Sequence, residues 1–180
     1  GTVDVKAATY GLQTAAQKDI SITGDAQVSS VTSGAYAIYS KGNIIIDCSN
    51  KVTAQASGRA VQVAGDLTIK SDVDAIVSKD IAMEAANVLI ENGDVFTSSA
   101  TSHSINGRTS VQIKGGNTTA YAATGRSINA PSVTIEGGKV LTYYINADQE
   151  EVISRYGITA TNGNLIISGG TVDAKVTNNS

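Results

Sequence analysis

The chain has 180 residues, enough for one domain with a sizeable core, and sets 13 Lys and Arg against 16 Asp and Glu for a net charge of −3. That balance excludes the basic field by which proteins hold nucleic acid or an anionic membrane surface. Ala, Val and Ile dominate the apolar set, with one Phe, one Pro and no Trp, which favours strands because β-branched side chains lose χ1 freedom in a helix.

The lone Cys48 excludes an internal disulfide and a Cys-x-x-Cys zinc or redox site. No apolar run reaches the roughly 18 residues that a membrane-crossing helix needs, so no membrane insertion is expected. The chain opens Gly1-Thr2-Val3 and its only Met is Met83. It therefore reads as a processed or excised segment, with any signal peptide already removed.

An internal repeat organises the chain. Val3-Asp4-Val5 reads as a weak first copy. Stronger apolar-x-Ile triplets follow at Ile20-Ser21-Ile22, Ile44-Ile45-Ile46, Leu67-Thr68-Ile69, Val88-Leu89-Ile90, Val111-Gln112-Ile113, Val133-Thr134-Ile135 and Leu165-Ile166-Ile167. Their starts are 24, 23, 21, 23, 22 and 32 residues apart. A turn-forming residue precedes each: Asp19, Asn43, Asp66, Asn87, Ser110, Ser132 and Asn164. Two positions past each triplet comes a small residue suited to a tight bend: Gly24, Cys48, Ser71, Asn92, Gly115, Gly137 and Gly169.

The position directly after the Ile reads Thr23, Asp47, Lys70, Glu91, Lys114, Glu136, Ser168, and its charges alternate in sign. Residues in register on neighbouring strands lie about 4.8 Å apart. Like charges there repel and opposite charges attract, so the alternation predicts consecutive repeats stacked in register. Side chains alternate faces along a strand, which turns Ile22, Ile46, Ile69, Ile90, Ile113, Ile135 and Ile167 into an inward ladder.

A second strand is expected at Val28, Val52-Thr53-Ala54, Val95-Phe96, Val140-Leu141 and Val172-Asp173-Ala174. A third is expected at Ala37-Ile38, Ala60-Val61, Ile81-Ala82, Ser104-Ile105, Ser127-Ile128 and Ile158-Thr159. Three strands and three turns fill about 22 residues. The fold predicted is all-β: a single-stranded, right-handed parallel β-helix over 1–180, with seven to eight coils of 21–24 residues starting near 3, 20, 44, 67, 88, 111, 133 and 165. A β-sandwich, the rival all-β fold, has no reason to keep one Ile at seven stations.

The coil Asn164-Leu165-Ile166-Ile167-Ser168-Gly169-Gly170-Thr171-Val172-Asp173-Ala174 is the clearest copy, and Val133-Thr134-Ile135-Glu136-Gly137-Gly138 repeats its opening. This resembles the Gly-Asn-Leu-x-Ile-x-Gly-Gly repeats of bacterial surface and secreted β-helix proteins in the pectate-lyase-like group. The resemblance spans residues 3–176, carries the fold, and implies an exported, carbohydrate-binding or adhesin-like segment that is extracellular or at the cell surface. No catalytic residue transfers with it.

The sixth strong interval is the outlier, with an insertion at 139–157 holding Tyr143, Tyr144, Asp148, Gln149, Glu150, Glu151, Arg155 and Tyr156. Long insertions in repeat proteins often form the binding face, and tyrosine beside carboxylate suits a sugar. The ligand-binding candidates are therefore Tyr143, Tyr144, Asp148, Glu150, Glu151 and Tyr156. The alternative is a short amphipathic helix over 148–155 that covers the coil. Asp72, Asp74 and Asp80 form an acidic patch that offers calcium a weak site. His103 reads as an exposed loop residue and Cys48 as a buried, inert thiol.

A polysaccharide lyase or hydrolase is the enzymatic alternative, but Arg59, Arg108 and Arg126 show no acidic partners beside them in the repeat. The reading is a non-catalytic module without cofactor, serving glycan binding, adhesion to another surface protein, or a rigid stalk. End-to-end self-association is the expected way to cover unpaired strand edges.

Overall fold

The computed structural model describes residues 1–177, and every regular element among them is a strand. Each coil contributes three strands, one to each of three faces. The first face carries the triplets: Ile20–Gly24, Ile44–Cys48, Leu67–Ile69, the second halves of Met83–Ile90 and Ile105–Ile113, Ser132–Ile135 and Leu165–Ile167. The second is Thr2–Ala7, Gln27–Thr32, Val52–Ala56, Val73–Val77, Asp94–Ser99, Asn117–Ala122, Lys139–Leu141 and Thr171–Asp173. The third is Tyr10–Gln13, Tyr36–Ser40, Arg59–Val63, the first halves of the two long strands, Arg126–Ala130 and Tyr156–Ala160.

All pairing between coils is parallel, with every strand facing its counterpart one repeat away, as between Ile44 and Leu67 or Val111 and Val133. The second face is an 8-stranded sheet. The first and third are hydrogen-bonded into one 12-stranded sheet, because Met83–Ile90 and Ile105–Ile113 run through the corner between them. The chain is a parallel β-solenoid.

Six complete coils start at the six triplets from Ile20 to Val133, with partial coils before and after. Seven to eight were expected. The difference lies partly at Val3-Asp4-Val5, which is not a triplet strand: Val3 pairs with Val28 on the second face. Alternation of inward Val and outward Asp imitates the triplet without its Ile.

The ladder forms as the sequence requires. Ile46, Ile69, Ile90, Ile113 and Ile135 are fully buried, as are Ile44, Leu67 and Val133 at the first triplet position. Each such side chain contributes about 1.5–3 kcal/mol. Ile167, in the last coil, is 52% exposed. The charge ladder stands beside the Ile ladder: Lys70 lies 3.8 Å from Asp47 and 3.4 Å from Glu91. These exposed pairs fix register more than they add stability, at about 0–1 kcal/mol each. Farther along, Glu136 instead accepts a hydrogen bond from Gln112 at 2.8 Å.

The bend from the first to the second face depends on glycine. Gly93, Gly116, Gly138 and Gly170 hold φ of 95°, 70°, 76° and 77°. A Cβ on Gly116, Gly138 or Gly170 would overlap the carbonyl oxygen of the glycine one coil earlier. At these four bends the left-handed residue is one past the position the repeat alignment singled out, whereas Gly24, with φ 70°, is left-handed at that position itself.

The inward column of the second face runs Val28, Val52, Val73, Val95, Thr118, Val140. Thr118 is fully buried and its hydroxyl has no hydrogen-bond partner. A buried unsatisfied hydroxyl costs about 1–3 kcal/mol, and Val matches Thr in shape. Thr118→Val should therefore raise the urea unfolding midpoint, by the equivalent of about 1 kcal/mol or more. An unchanged or lower midpoint would mean that the hydroxyl is satisfied.

Candidate functional site

The insertion is a hairpin, not a helix. Tyr143–Ile145 pairs antiparallel with Glu151–Ile153, with Tyr144 opposite Val152. Aromatic and β-branched side chains favour this pairing, and the turn supplies its own caps. Asn146 Oδ1 accepts the backbone N–H groups of Asp148 and Glu150, both at 2.9 Å. Gln149 takes the left-handed conformation, with φ 63°.

The hairpin separates the six predicted ligand-binding residues. Tyr143 and Glu151 face the last coil. The Tyr143 hydroxyl donates to Asp173 at 2.7 Å, Lys175 lies 4.2 Å from the Tyr143 ring centre, and Lys175 pairs with Glu151. The bond to Asp173 raises the Tyr143 pKa above 10.0, and the bond to Glu151 raises that of Lys175. Asp148 and Glu150 sit exposed in the turn. Tyr156 lies apart on the third face, paired in register with Arg126, with the Arg155 guanidinium 5.3 Å from its ring centre.

Tyr144 points the other way, onto the second face. It meets Tyr121 edge-on at 5.1 Å between ring centres and Phe96 edge-on at 5.6 Å. Burial, then the neighbouring Tyr144, pushes the Tyr121 pKa up. Phe96 also lines an open groove of about 390 Å³, with Lys51, Asp74, Asp94, Asn117, Thr119, Lys139 and Leu141. These are outward side chains of the second face from five successive coils.

The polar groups of the groove hold one another in place. Lys51 lies 3.2 Å from Asp74. Asn117 Nδ2 donates to Asp94 Oδ1 at 2.7 Å, and the Asp94 N–H donates to Asp72 Oδ1 at 2.8 Å. The acidic trio of the sequence reading is therefore divided. Asp72 and Asp74 serve the second face, whereas Asp80 pairs with Arg59 at 2.9 Å. No group of three metal-binding side chains gathers among the described residues.

That Arg59 pair belongs to a network on the third face, and it corrects the expectation that Arg59 and Arg108 lack acidic partners. Glu84, almost fully buried, accepts hydrogen bonds from Arg59 at 3.3 Å, Arg108 at 3.2 Å, Gln62 at 3.3 Å and Asn106 at 3.0 Å. Arg108 also reaches back two coils to the carbonyls of Val63 and Ala64. It does so from a register shift in the ladder between Ala85 and Asn87. With every oxygen matched to a charged or amide donor, the buried carboxylate is a structural anchor.

Cys48 is half-buried, its thiol directed at the Asn50 carbonyl. His103 is partly buried rather than loose: its Nδ1 accepts the N–H of Arg126 at 3.0 Å.

Compared with known protein families, characterised proteins and solved structures, the chain shows no significant match to any. The molecule is therefore defined by its own geometry, as a parallel β-solenoid with one hairpin insertion whose Tyr144 touches Phe96, a residue of the second-face groove.

Burial, then the charge of Arg126, lowers the His103 pKa below 6.5, against weaker opposite pulls from Glu84 and Asp80. The folded state thus prefers the neutral ring. The stability this contributes is fully present above pH 6.5, the unfolded value, and is lost as pH falls through the lower folded value. The urea midpoint should therefore drop more steeply between about pH 7.5 and pH 5 for the wild type than for His103→Asn. Parallel pH profiles would remove His103 as a cause.

Proposed function

We propose that this chain is a non-catalytic, exported β-solenoid module that binds glycan along the groove of its second face. The observation that carries this reading is Tyr144. The insertion places its ring against Tyr121 and against Phe96, which lines the groove together with Asp74, Asp94, Asn117, Lys51 and Lys139.

A sugar ring has apolar C–H faces and a rim of hydroxyls. An aromatic wall over fixed carboxylate, amide and ammonium groups meets both. The groove is open and crosses several coils, so it suits an internal stretch of polysaccharide better than a chain end. Each carboxylate already accepts from a neighbour, Asp74 from Lys51 and Asp94 from Asn117. That arrangement pre-orients acceptors for sugar hydroxyls and suits binding better than proton transfer.

The resemblance of the Gly-Asn-Leu-x-Ile coil to bacterial surface β-helices supports an extracellular, adhesin-like setting. The low share of charged residues, 16%, agrees with a surface that meets sugars by neutral hydrogen bonds.

A glycan array followed by calorimetric titration tests the reading. At least one polysaccharide class should bind, and Tyr144→Ala or Asp94→Asn should weaken it by about tenfold, the usual loss for truncating an interface anchor. A folded protein that binds no glycan would leave the rigid stalk. New ultraviolet absorbance from unsaturated uronate product would make the chain a lyase.

A further inference from the structure

Asn-Gly dipeptides occur at Asn92-Gly93, Asn106-Gly107 and Asn162-Gly163. In each, the glycine nitrogen can attack the side-chain amide carbon of the asparagine before it, because glycine has no Cβ to obstruct the approach. The attack needs a free glycine N–H and a side chain able to swing onto it. The solenoid withholds one or both at two of these sites.

Asn106 lies inside the strand Ile105–Ile113, where Asn106 and Gly107 pair with Glu84 and Ala85. Its side chain is tied at both ends: Nδ2 donates to Glu84 at 3.0 Å and Oδ1 accepts from Asn129 at 2.7 Å. At Asn162 the following Gly163 N–H donates to the Pro131 carbonyl at 2.8 Å. Asn92 differs in each respect. Its side chain is exposed at a bend and makes no hydrogen bond among the described residues. The Gly93 N–H has no acceptor among them either.

The fold also demands the glycine that makes Asn92 reactive. Gly93 holds φ at 95°, and a Cβ on it would overlap the Ser71 carbonyl oxygen of the coil before. At the later bends the residue before the left-handed glycine is Gly115, Gly137 or Gly169, none with a side chain to react.

We infer that Asn92-Gly93 is a site of spontaneous main-chain modification, at which the folded chain deamidates to isoaspartate and aspartate. Gly93 N bonds to Asn92 Cγ, the Cγ–Nδ2 bond breaks, and ammonia leaves with the Gly93 proton. Water then opens the cyclic imide at either carbonyl. Opening at the main-chain carbonyl leaves isoaspartate, with a methylene added to the backbone, and opening at Cγ leaves aspartate. No oxidant or cofactor takes part. Either product sets a new carboxylate beside Glu91 in the chain, and isoaspartate displaces the strand that follows. That strand begins at Asp94, whose N–H donates to Asp72 Oδ1 at 2.8 Å and whose Oδ1 accepts from Asn117 at 2.7 Å. The modification therefore loosens the second-face groove as the protein ages, whatever that groove binds.

The full chain is incubated at mildly alkaline pH, folded or unfolded in guanidinium chloride, and followed by peptide mass spectrometry. Unfolded, all three sites should gain the deamidation mass at similar rates. Folded, Asn92 should react at least roughly tenfold faster than Asn162, since freeing the Gly163 N–H costs about one hydrogen bond. Asn106 should be slower still. The Asn92 product should be labelled by an isoaspartate-specific methyltransferase, and its formation should shift the NMR signals of Asp94 and Asn117. Asn92→Gln, whose longer side chain closes the ring slowly, should fold as the wild type does and stop both changes.

Equal rates at Asn92 and Asn162 in the folded chain would overturn the site, as would an inert Asn92 in a chain that reacts when unfolded. Deamidation at Asn92 with the Asp94 and Asn117 signals unmoved would overturn the link to the groove.

Discussion

The structure depends on one constraint: consecutive coils lie about 4.8 Å apart and hydrogen-bond in parallel register. Every residue therefore meets its own equivalent from the coils before and after it. Inside, this demands like next to like, because an Ile column can close only if each rung fills the same space. Outside, it forbids like charges in sequence, which the run Asp47, Lys70, Glu91 observes. At the bends it forbids side chains altogether where backbones approach, and the glycine column from Gly93 to Gly170 follows. The core, the charge ladder and the bends answer to the same spacing.

An insertion into such a stack has few places to go. It cannot enter a face without breaking the pairing on both sides, so it must leave the coil at a corner. The 143–153 hairpin leaves between Lys139–Leu141 and Tyr156–Ala160 and pairs with itself. Its two edges are then free to touch neighbouring coils. Tyr144 reaches back to Tyr121 and Phe96, one and two coils earlier, and Tyr143 with Glu151 reaches forward to Asp173 and Lys175. A single irregularity thus spans four coils and gives the second face a wall that repetition alone does not make.

The fold was legible because the interior repeats. Seven Ile residues at near-constant spacing leave little choice of architecture, and the alternating charges set the register before any coordinates. What was misread lies where the repeat is locally ambiguous. Val3-Asp4-Val5 has the alternation of a triplet but the inward valine of the second face. Ile81-Ala82 seemed the third-face copy, whereas Ala82-Met83 is, since Met83 pairs with Val61. That slip of one residue hid Glu84 from Arg59 and Arg108. The register shift after Ala85, which turns Arg108 back two coils, has no signal in composition. Within the insertion, the acidic run at 148–151 suggested a helix. The β-branched Val152 and Ile153 and the Asn146 turn decide for the hairpin, and Tyr143 and Tyr144, adjacent in sequence, necessarily point to opposite sides of it.

The same division tells where specificity can reside. Inward columns are held nearly constant by packing, so they carry little beyond the fold. Outward columns need only avoid repulsion, and there the repeat breaks down. The second-face column reads Ser29, Thr53, Asp74, Phe96, Thr119, Leu141, Asp173, and no stacking rule accounts for a Phe between an Asp and a Thr. The third face starts with Tyr10 and Tyr36 and turns to Arg59 at the next rung. In the arginine section the network around Glu84 explains the choice. In the tyrosine section the rings of Tyr10, Tyr36 and Tyr39 stack on one another, and Phe96 is met edge-on by Tyr144 of the hairpin. A solenoid needs repetition inside to fold, so only its exposed faces can depart from the repeat without disturbing the core.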